Sequence, residues 1–323
     1  MTDTNILMTT PMHPVVAQSL EPAFKLHRLW LQEDKEAFLR EFGPSMHGLV
    51  TSTLYGRVDH RLLDHLPALE IISSFGVGYD NVDVGLAAQL GITVTNTPGV
   101  LDDEVADFTL GLLLATLRQI PQAERHLREG RWLQGPFPLS PTLRGRRIGI
   151  VGLGNIGKAV ARRLEGFGVS IAYHGRSAQA DVPYPFYADL VEMAQASDVL
   201  IVIVPGGTAT RHLINRAVLQ ALGPQGVLIN VARGSVVDEQ ALIEALQAGE
   251  IWGAGLDVFE HEPQVPQALL DMPQLVLLPH VGSASEHTRQ AMGQLVADNM
   301  AAWFTQGKAI TVVPECRHLG AAR

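Results

Sequence analysis

Short apolar runs alternate with helix-like stretches along almost the whole chain. The runs are rich in isoleucine, leucine and valine and are bounded by glycine, proline and polar residues, which favours buried strands. In the first hundred residues they predict strands at 5–8, 47–51, 69–73 and 93–95. Helices are predicted between them, for example at 61–66 and 84–89. Strands that alternate with helices are typical of a parallel sheet, so the pattern predicts an α/β protein.

The middle of the chain begins with a longer helical pattern at residues 102–118. Asp102 and Asp103 suit its first turn, and Pro121 lies just beyond its end. An irregular stretch follows at 130–142, rich in proline and glycine, and we interpret it as a connector or a binding loop.

A second α/β series starts at Arg147. Its strands are predicted at 147–151, 170–173, 199–204, 226–230, 253–256 and 275–278. A last helix, at about 286–306, is long enough to return to the first series. We therefore predict two doubly wound parallel-sheet domains. A cofactor domain, residues 102–287, is inserted into a discontinuous substrate domain, residues 1–101 and 288–323.

Composition narrows the class of protein. The 323 residues carry a net charge of −9 and no basic run, which argues against a nucleic-acid partner. Cys316 is the single cysteine, so neither a disulfide framework nor a cysteine metal cluster is expected, and a reducing compartment is favoured. The sequence shows neither a signal peptide nor a membrane-spanning apolar run. We expect a soluble, cytoplasmic protein that binds no membrane and no metal.

The sharpest local motif follows the strand at 147–151 and reads Gly-x-Gly-x-x-Gly, with Gly152, Gly154 and Gly157. In the dinucleotide-binding fingerprint the first glycine permits a tight turn, the second lets the backbone approach a pyrophosphate, and the third lets helix and strand pack closely. The helix that follows offers its unpaired N–H groups to the phosphates. Leu153, Asn155 and Ile156 complete this candidate cofactor-binding turn.

The end of the next strand bears on the choice of cofactor. An NAD site usually carries an acidic residue here for the ribose hydroxyls, but this chain has His174, Arg176 and Ser177, and no acid before Asp181. Guanidinium and hydroxyl groups bind a 2′-phosphate, so we predict that NADP(H) is preferred over NAD(H). An arginine on a solvated loop is the alternative.

Three ionisable residues each follow a predicted strand downstream of the glycine motif. They are Arg233, Glu262 and His280. Because open α/β sheets bind ligands at the carboxyl ends of their strands, we take them as the catalytic candidates. Singly, each could be an ordinary surface or structural residue.

The motifs together identify a resemblance. Residues 76–83, the glycine motif, and the segments 231–234, 255–259 and 279–280 resemble, in matching order, the D-isomer-specific 2-hydroxyacid dehydrogenase family. Residues 174–177 and the loop 130–139 look most like its NADPH-dependent glyoxylate/hydroxypyruvate reductases. The resemblance implies two Rossmann-like domains and hydride transfer at C2 of a small 2-oxo acid.

The resemblance also implies a role for each catalytic candidate. Arg233 would bind the substrate carboxylate and polarise the C2 carbonyl, and the backbone N–H groups of Val77 and Gly78 would hold the same carboxylate. His280 would give a proton to the carbonyl oxygen. Glu262 would orient the imidazole and stabilise its charged form.

Further cofactor contacts are carried over from the family. Asp257 and the backbone at Val231, with Ala232, His280 and Gly282 nearby, resemble the positions around the nicotinamide. Val204 and Pro205 are expected against the adenosine half, and Thr210 at the phosphates. The family often has another polar residue before this proline, so the chain departs from the pattern here.

The resemblance also implies which residues form the substrate pocket. Trp132 and Phe137 resemble a loop that, in this subfamily, reaches the partner's active site in a homodimer, and Leu54 and Tyr55 are expected to line the pocket. Trp132 could instead be an interface anchor only. A reductase of bulkier 2-oxo acids such as phenylpyruvate stays open, as does a nucleotide-sensing corepressor. A phosphoglycerate dehydrogenase is disfavoured, because Arg176 and Ser177 indicate a 2′-phosphate and therefore point away from NAD.

Overall fold

A computed structural model of the chain describes residues 3–53 and 56–319. The chain divides into two compact units, Met1–Leu101 with Ala284–Arg323, and Asp102–Ser283. We call them the first and the second unit. Leu54 and Tyr55, expected in the substrate pocket, lie outside the described residues.

The first unit is built on a parallel sheet that has five strands within its described residues, in the order β2-β1-β3-β4-β5. The strands are β1 (Asn5–Met8), β2 (Lys25–Arg28), β3 (Met46–Ser52), β4 (Ile71–Phe75) and β5 (Thr93–Thr95). The helices are α1 (Val15–Leu20), α2 (Lys35–Phe42), α3 (His60–Leu63), α4 (Val84–Gln89) and, from the end of the chain, α12 (Glu286–Gln306).

The helix α12 fixes where the second boundary falls. It packs against α1 and β4 of the first unit, and Ser285 caps its first turn by accepting a hydrogen bond from the Thr288 N–H at 3.2 Å. The first turn therefore belongs to the first unit, and the boundary lies between Ser283 and Ala284 rather than between residues 287 and 288 as predicted.

The second unit holds a parallel sheet of seven strands among its described residues, in the order β12-β11-β10-β9-β6-β7-β8. The strands are β6 (Arg147–Val151), β7 (Ser170–His174), β8 (Phe186–Tyr187), β9 (Val199–Val202), β10 (Val227–Asn230), β11 (Gly253–Leu256) and β12 (Val276–Leu277). The helices are α5 (Asp102–Arg118), α6 (Ile120–Arg128), α7 (Asn155–Leu164), α8 (Leu190–Gln195), α9 (Arg216–Leu222), α10 (Glu239–Gln247) and α11 (Gln267–Leu270).

This strand order defines where a ligand can bind in the second unit. The chain leaves β6 towards β7 on one side, and it leaves β9 towards β10 on the other, so the order reverses between the adjacent strands β6 and β9. Open α/β sheets bind their ligands at the carboxyl ends of the strands at such a switch point. The glycine motif begins there, directly after β6.

The doubly wound α/β class of both sheets is as predicted. Two strands were not predicted from the pattern of apolar residues. These are β2 and β8, which lie at sheet edges and contain no fully buried residue. A short edge strand with one open side does not show the continuous apolar run by which the central strands were recognised.

Candidate active site

A carboxylate–imidazole pair stands at the centre of the candidate site. Nδ1 of His280 lies 2.8 Å from Oε2 of Glu262, and their side chains are 23% and 28% exposed. The other oxygen of Glu262 accepts a hydrogen bond from the Phe259 N–H at 3.0 Å. Burial alone would raise the pKa of Glu262, but the hydrogen bond and charge of His280, the Phe259 N–H and the charge of Arg233 bring it below its ordinary value. Glu262 is therefore an ionised carboxylate with both oxygens held.

The backbone that carries His280 is fixed by Asp257. The His280 N–H donates to the carbonyl of Asp257 at 2.8 Å. The Asp257 side chain accepts hydrogen bonds from the N–H groups of Val281 at 2.8 Å and Gly282 at 2.9 Å. His280 itself has a φ of 54°, in the left-handed region that non-glycine residues rarely adopt. Burial raises the pKa of Asp257. We call these three hydrogen bonds of Asp257 to residues 280–282 the Asp257 clamp. It holds an uncommon backbone turn at the residue that presents the imidazole, and no sequence motif indicated it.

Arg233 is brought to the same place by a tight turn after β10. The Asn230 side chain donates to the carbonyl of Arg233 at 3.0 Å and accepts from the Ala232 N–H at 3.1 Å. A Cβ added to Gly234 would lie 1.8 Å from the carbonyl carbon of Phe259, so this turn packs directly on the backbone that leads to Glu262. The structure thus gathers Arg233, Glu262 and His280, which are far apart in sequence, into one cluster.

The glycine turn after β6 shows a separate physical reason for each glycine. Gly152 has a φ of 100°, and a Cβ there would lie 2.8 Å from the carbonyl oxygen of Ile203. A Cβ on Gly157 would lie 2.2 Å from the carbonyl oxygen of Gly152. Gly154 caps α7 without a side chain, and a Cβ there would meet no described atom within 4 Å. The first and third glycines are required by packing within the unit, whereas the second leaves open space at a helix N-terminus.

The other residues of this turn have structural roles as well. Leu153 is buried, and Ile156 is partly buried and packs against the hydrophobic core. Its neighbour Asn155 hydrogen-bonds the side chain of Asp102, whose pKa is raised by burial and partly restored by that bond. Asn155 thereby joins the start of α7 to the start of α5.

The loop after β7 lies beside this glycine turn. The Gln179 side chain donates to the carbonyl of Leu153 at 2.9 Å, which ties the two loops together. Arg176 and Ser177 of the same loop are exposed, and His174 pairs with the carbonyl of Tyr187 at 3.0 Å. The loop that carries this cation and this hydroxyl is thus joined to the glycine turn through Gln179.

The loop after β9 lies on the other side of the switch point, since β9 is the neighbour of β6 there. Val204 and Pro205 follow β9, and the Thr210 hydroxyl donates to the carbonyl of Pro205 at 2.6 Å. On the other flank of the site, the N–H of Val231 donates to the carbonyl of Val202 at 3.3 Å. The expected phosphate contact of Thr210 stays a prediction.

A further contact joins this loop to the segment that carries Glu262. Oε1 of Glu260 lies 2.8 Å from Nη2 of Arg211 and 2.9 Å from Nε2 of His212. Neither the pattern of the chain nor its motifs indicated this clasp, since its partners lie almost fifty residues apart.

In the first unit, the candidate carboxylate-binding backbone follows β4. Gly76 has a φ of 152°, and its N–H donates to Oγ1 of Thr97 at 3.2 Å. The next two residues, Val77 and Gly78, are half-buried. Within residues 3–53 and 56–319, their two N–H groups have no hydrogen-bond acceptor. They are therefore available as donors to a ligand.

The aromatic loop lies on the surface of the second unit. Trp132 belongs to a short 3-10 turn, Arg131–Leu133, and is 69% exposed. Phe137 instead packs edge-on against His126, with ring centroids 5.5 Å apart. Trp132 therefore projects from a loop that is anchored to its own unit.

No helix among the described residues is long and apolar enough to cross a bilayer. Over the same residues, histidine, cysteine, aspartate and glutamate side chains form no group of three or more that could hold a metal ion.

A doubly wound sheet with a glycine turn at its switch point, and an Arg–Glu–His cluster at the neighbouring strand ends, define a dinucleotide-dependent dehydrogenase. Comparison with known proteins agrees. Residues 110–282 match the model described as "D-isomer specific 2-hydroxyacid dehydrogenase, NAD binding domain". The chain belongs to the D-isomer specific 2-hydroxyacid dehydrogenase family.

Individual relatives cover nearly the whole chain. It is 45% identical over 308 residues to a glyoxylate/hydroxypyruvate reductase A of Arabidopsis thaliana and 46% identical over 308 residues to a hydroxyphenylpyruvate reductase of Plectranthus scutellarioides, with 95% of this chain and 98% of each relative covered. A crystal structure of an NADPH-dependent glyoxylate/hydroxypyruvate reductase from Sinorhizobium meliloti, in complex with NADP and malonate, is similar with a TM-score of 0.91. It is 53% identical, with 98% of each chain covered.

Proposed function

We propose that the protein is an NADPH-dependent reductase that converts glyoxylate to glycolate and hydroxypyruvate to D-glycerate. The observation that carries the proposal is the Glu262–His280 pair beside Arg233, in a chain whose relatives include reductases of these acids. An ionised carboxylate, an imidazole and a guanidinium are the groups that reduction of a 2-oxo acid requires.

Each residue of the cluster has a distinct task in this proposal. Arg233 offers a planar fork of donors to the substrate carboxylate and draws electron density from the C2 carbonyl oxygen. The His280 nitrogen remote from Glu262, Nε2, gives its proton to that oxygen, while Glu262 holds Nδ1 and stabilises the imidazolium. The N–H groups of Val77 and Gly78 donate to the carboxylate.

The residues of the second unit fit a dinucleotide. Gly154 leaves space where any side chain would stand between the α7 N-terminus and a pyrophosphate. Arg176 and Ser177 would hold a 2′-phosphate, and Val204 and Pro205 would line the adenosine side. When bound, the reduced nicotinamide would supply a hydride to C2 of the substrate. Arg176 lies in the loop that Gln179 ties to the glycine turn, and a cation in this loop supports NADP(H) over NAD(H).

Initial rates test the proposal directly. The purified protein is mixed with glyoxylate, hydroxypyruvate, pyruvate or phenylpyruvate, with NADPH or NADH, and absorbance at the reduced-nicotinamide band is followed. We expect the highest kcat/KM with glyoxylate or hydroxypyruvate and NADPH. Higher kcat/KM with NADH, or no turnover of either acid, would contradict it.

The same panel separates the alternatives. The hydroxyphenylpyruvate reductase among the relatives keeps a reductase of aryl 2-oxo acids as the second candidate, and a preference for phenylpyruvate would establish it. A nucleotide-sensing corepressor would bind the dinucleotide and show no turnover with any acid of the panel.

We also propose a homodimer located in the cytoplasm. The loop that follows α6 exposes three apolar side chains, Trp132, Leu133 and Leu139, the latter two almost completely. Apolar groups presented in this way favour a protein interface. Light scattering is expected to give twice the 35.0-kDa chain mass, and Leu133→Glu to lower it to one chain. A single-chain mass for the unaltered protein would contradict the dimer.

The cytoplasmic location is supported by the cysteine content. The single, buried cysteine suits a reducing compartment.

A further inference from the structure

We propose that Asn96 is a positioning residue for substrate binding: its side-chain amide holds the Val77 carbonyl so that the Gly78 N–H faces the substrate carboxylate. This inference rests on the proposed function, because that function makes the Val77–Gly78 backbone a carboxylate site. It adds a residue that neither the glycine motif nor the Arg–Glu–His cluster contains.

A single hydrogen bond joins Asn96 to the Val77 carbonyl. Asn96 directly follows β5, and its Nδ2 donates to the carbonyl oxygen of Val77 at 2.8 Å. That carbonyl and the N–H of Gly78 belong to the same peptide, which is planar and trans, so the two groups point in opposite directions. A bond that fixes the carbonyl on one side therefore fixes the N–H on the other.

Little else among the described residues holds the Val77–Gly78 peptide. The preceding glycine, Gly76, is tied to Thr97 by two hydrogen bonds, from the Gly76 N–H to Oγ1 at 3.2 Å and from the Thr97 N–H to the Gly76 carbonyl at 2.9 Å. Among the described residues, Asn96 provides the one hydrogen bond to the Val77–Gly78 peptide itself. A glycine at 78 leaves that peptide free to rotate without such a bond.

Asn96 is itself held in place by hydrogen bonds. Its N–H donates to the Thr311 carbonyl at 3.3 Å, and the Thr311 hydroxyl donates to the Asn96 carbonyl at 2.6 Å. Asn299 of α12, fully buried, donates to that hydroxyl at 2.8 Å, and its side-chain oxygen accepts from the N–H groups of Ile310 and Thr311, each at 2.9 Å. A satisfied polar network of this kind rigidifies the groups it joins.

The consequence is a prepared donor. An N–H that is already oriented binds an anionic oxygen without the cost of ordering the loop, and hydrogen bonds to charged groups are the stronger ones. Asn96 touches neither substrate nor cofactor in this account and acts through the peptide that it holds.

The test variant is Asn96→Asp, which keeps the shape of the side chain but replaces the donor by a carboxylate that repels the Val77 carbonyl. Since a hydrogen bond to a charged group is lost or misdirected, we expect KM for the 2-oxo acid to rise roughly 10- to 100-fold. We expect kcat to change much less, because the carboxylate is held alike in the ground and transition states. The Kd of NADPH should stay unchanged.

Two further variants test whether the effect depends on the amide donor and on its position. Asn96→Gln retains an amide donor on a longer side chain and should give a KM between those of the native protein and Asn96→Asp. Asn5→Asp makes the same chemical change in the same unit, where the Asn5 amide donates to the Ser45 carbonyl at 3.1 Å on the amino side of the sheet, and should leave KM unaltered.

A merely structural role for Asn96 would lower the melting temperature and the active fraction, and hence the apparent kcat, with KM unchanged, and that result would overturn the inference. Oxalate, an unreactive dicarboxylate, makes the test independent of turnover. Its binding to the NADPH-loaded protein, measured by calorimetry, should weaken in Asn96→Asp by the same factor as KM rises. Equal oxalate binding by both proteins, or none by the native protein, would also overturn the inference. A native protein that binds oxalate but reduces none of the acids would refute the proposed function alone.

Discussion

Glu262 and His280, eighteen residues apart in sequence, meet through a 2.8 Å contact between Oε2 and Nδ1. The second Glu262 oxygen is held by the Phe259 N–H, and Asp257 holds the backbone on either side of the imidazole. The pair is thus fixed from both ends before any substrate arrives. Such fixing is what a positioned proton donor requires, because small misplacements of a catalytic group cost large factors in rate.

Removal of the imidazole should abolish proton transfer while leaving the dinucleotide bound. For His280→Ala we expect kcat/KM to fall by about 10²- to 10⁴-fold, the usual contribution of general acid–base catalysis. Initial rates and NADPH fluorescence titration measure the two effects. His60→Ala, at an exposed position on α3, is the matched control and should retain full activity. Near-native turnover of His280→Ala would refute its role as the proton donor.

Replacement of the carboxylate should change how stability depends on pH. The pKa of Glu262 is lowered in the folded state, so the unfolded state binds the proton more tightly and the stabilisation is present above the ordinary value of 4.5. It is lost as the pH falls below that value and through the folded pKa. Urea unfolding between pH 3 and 6 should therefore show a smaller acid loss for Glu262→Gln than for the native protein. Parallel curves for the two proteins would contradict this assignment.

The guanidinium at 233 should be required for its shape as well as its charge. Arg233→Lys keeps a cation but loses the planar fork that matches a carboxylate, so we expect kcat/KM for glyoxylate to fall roughly 10- to 100-fold. Steady-state kinetics measure it. Arg144→Lys, at an exposed position on the amino side of β6, is the control, and equal effects at both positions would exclude a substrate contact.

Cofactor choice should depend on Arg176. Loss of its charge-assisted hydrogen bonds to a 2′-phosphate should lower the preference for NADPH over NADH roughly 10- to 100-fold in Arg176→Ala. The KM of NADPH should carry the change and that of NADH should not. Arg144→Ala controls for the loss of a surface charge. An unaltered preference in Arg176→Ala would place the guanidinium on a solvated loop.

The second and third glycines of the motif should separate binding from stability. A Cβ at Gly154 meets open space, so Gly154→Ala should fold normally and bind NADPH more weakly. A Cβ at Gly157 would stand 2.2 Å from the Gly152 carbonyl oxygen, so Gly157→Ala should lose about 1–3 kcal/mol of unfolding free energy. Urea unfolding and NADPH titration measure both. The reverse assignment of effects would refute this account of the turn.

The sequence alone determined the features that repeat locally or follow a strand. Apolar runs that alternate with helical patterns defined the α/β class. Most central strands were recognisable because a parallel strand buried on both faces needs a continuous apolar run. The glycine motif was recognisable because three glycines at fixed spacing stand between a predicted strand and a predicted helix. Arg233, Glu262 and His280 were found because each follows a strand end, where ligands bind in such sheets.

Tertiary structure alone decided which distant groups meet. The Asp257 clamp on the turn at 280–282, the clasp between Glu260 and Arg211, and the bond from Asn96 to the Val77 carbonyl join residues 19 to 49 positions apart. Such bonds depend on which strand ends become neighbours and at what register, and a pattern of apolar and polar residues carries no record of strand order. The edge strands β2 and β8 escaped for a related reason, since their pairing partner, rather than their own composition, makes them strands.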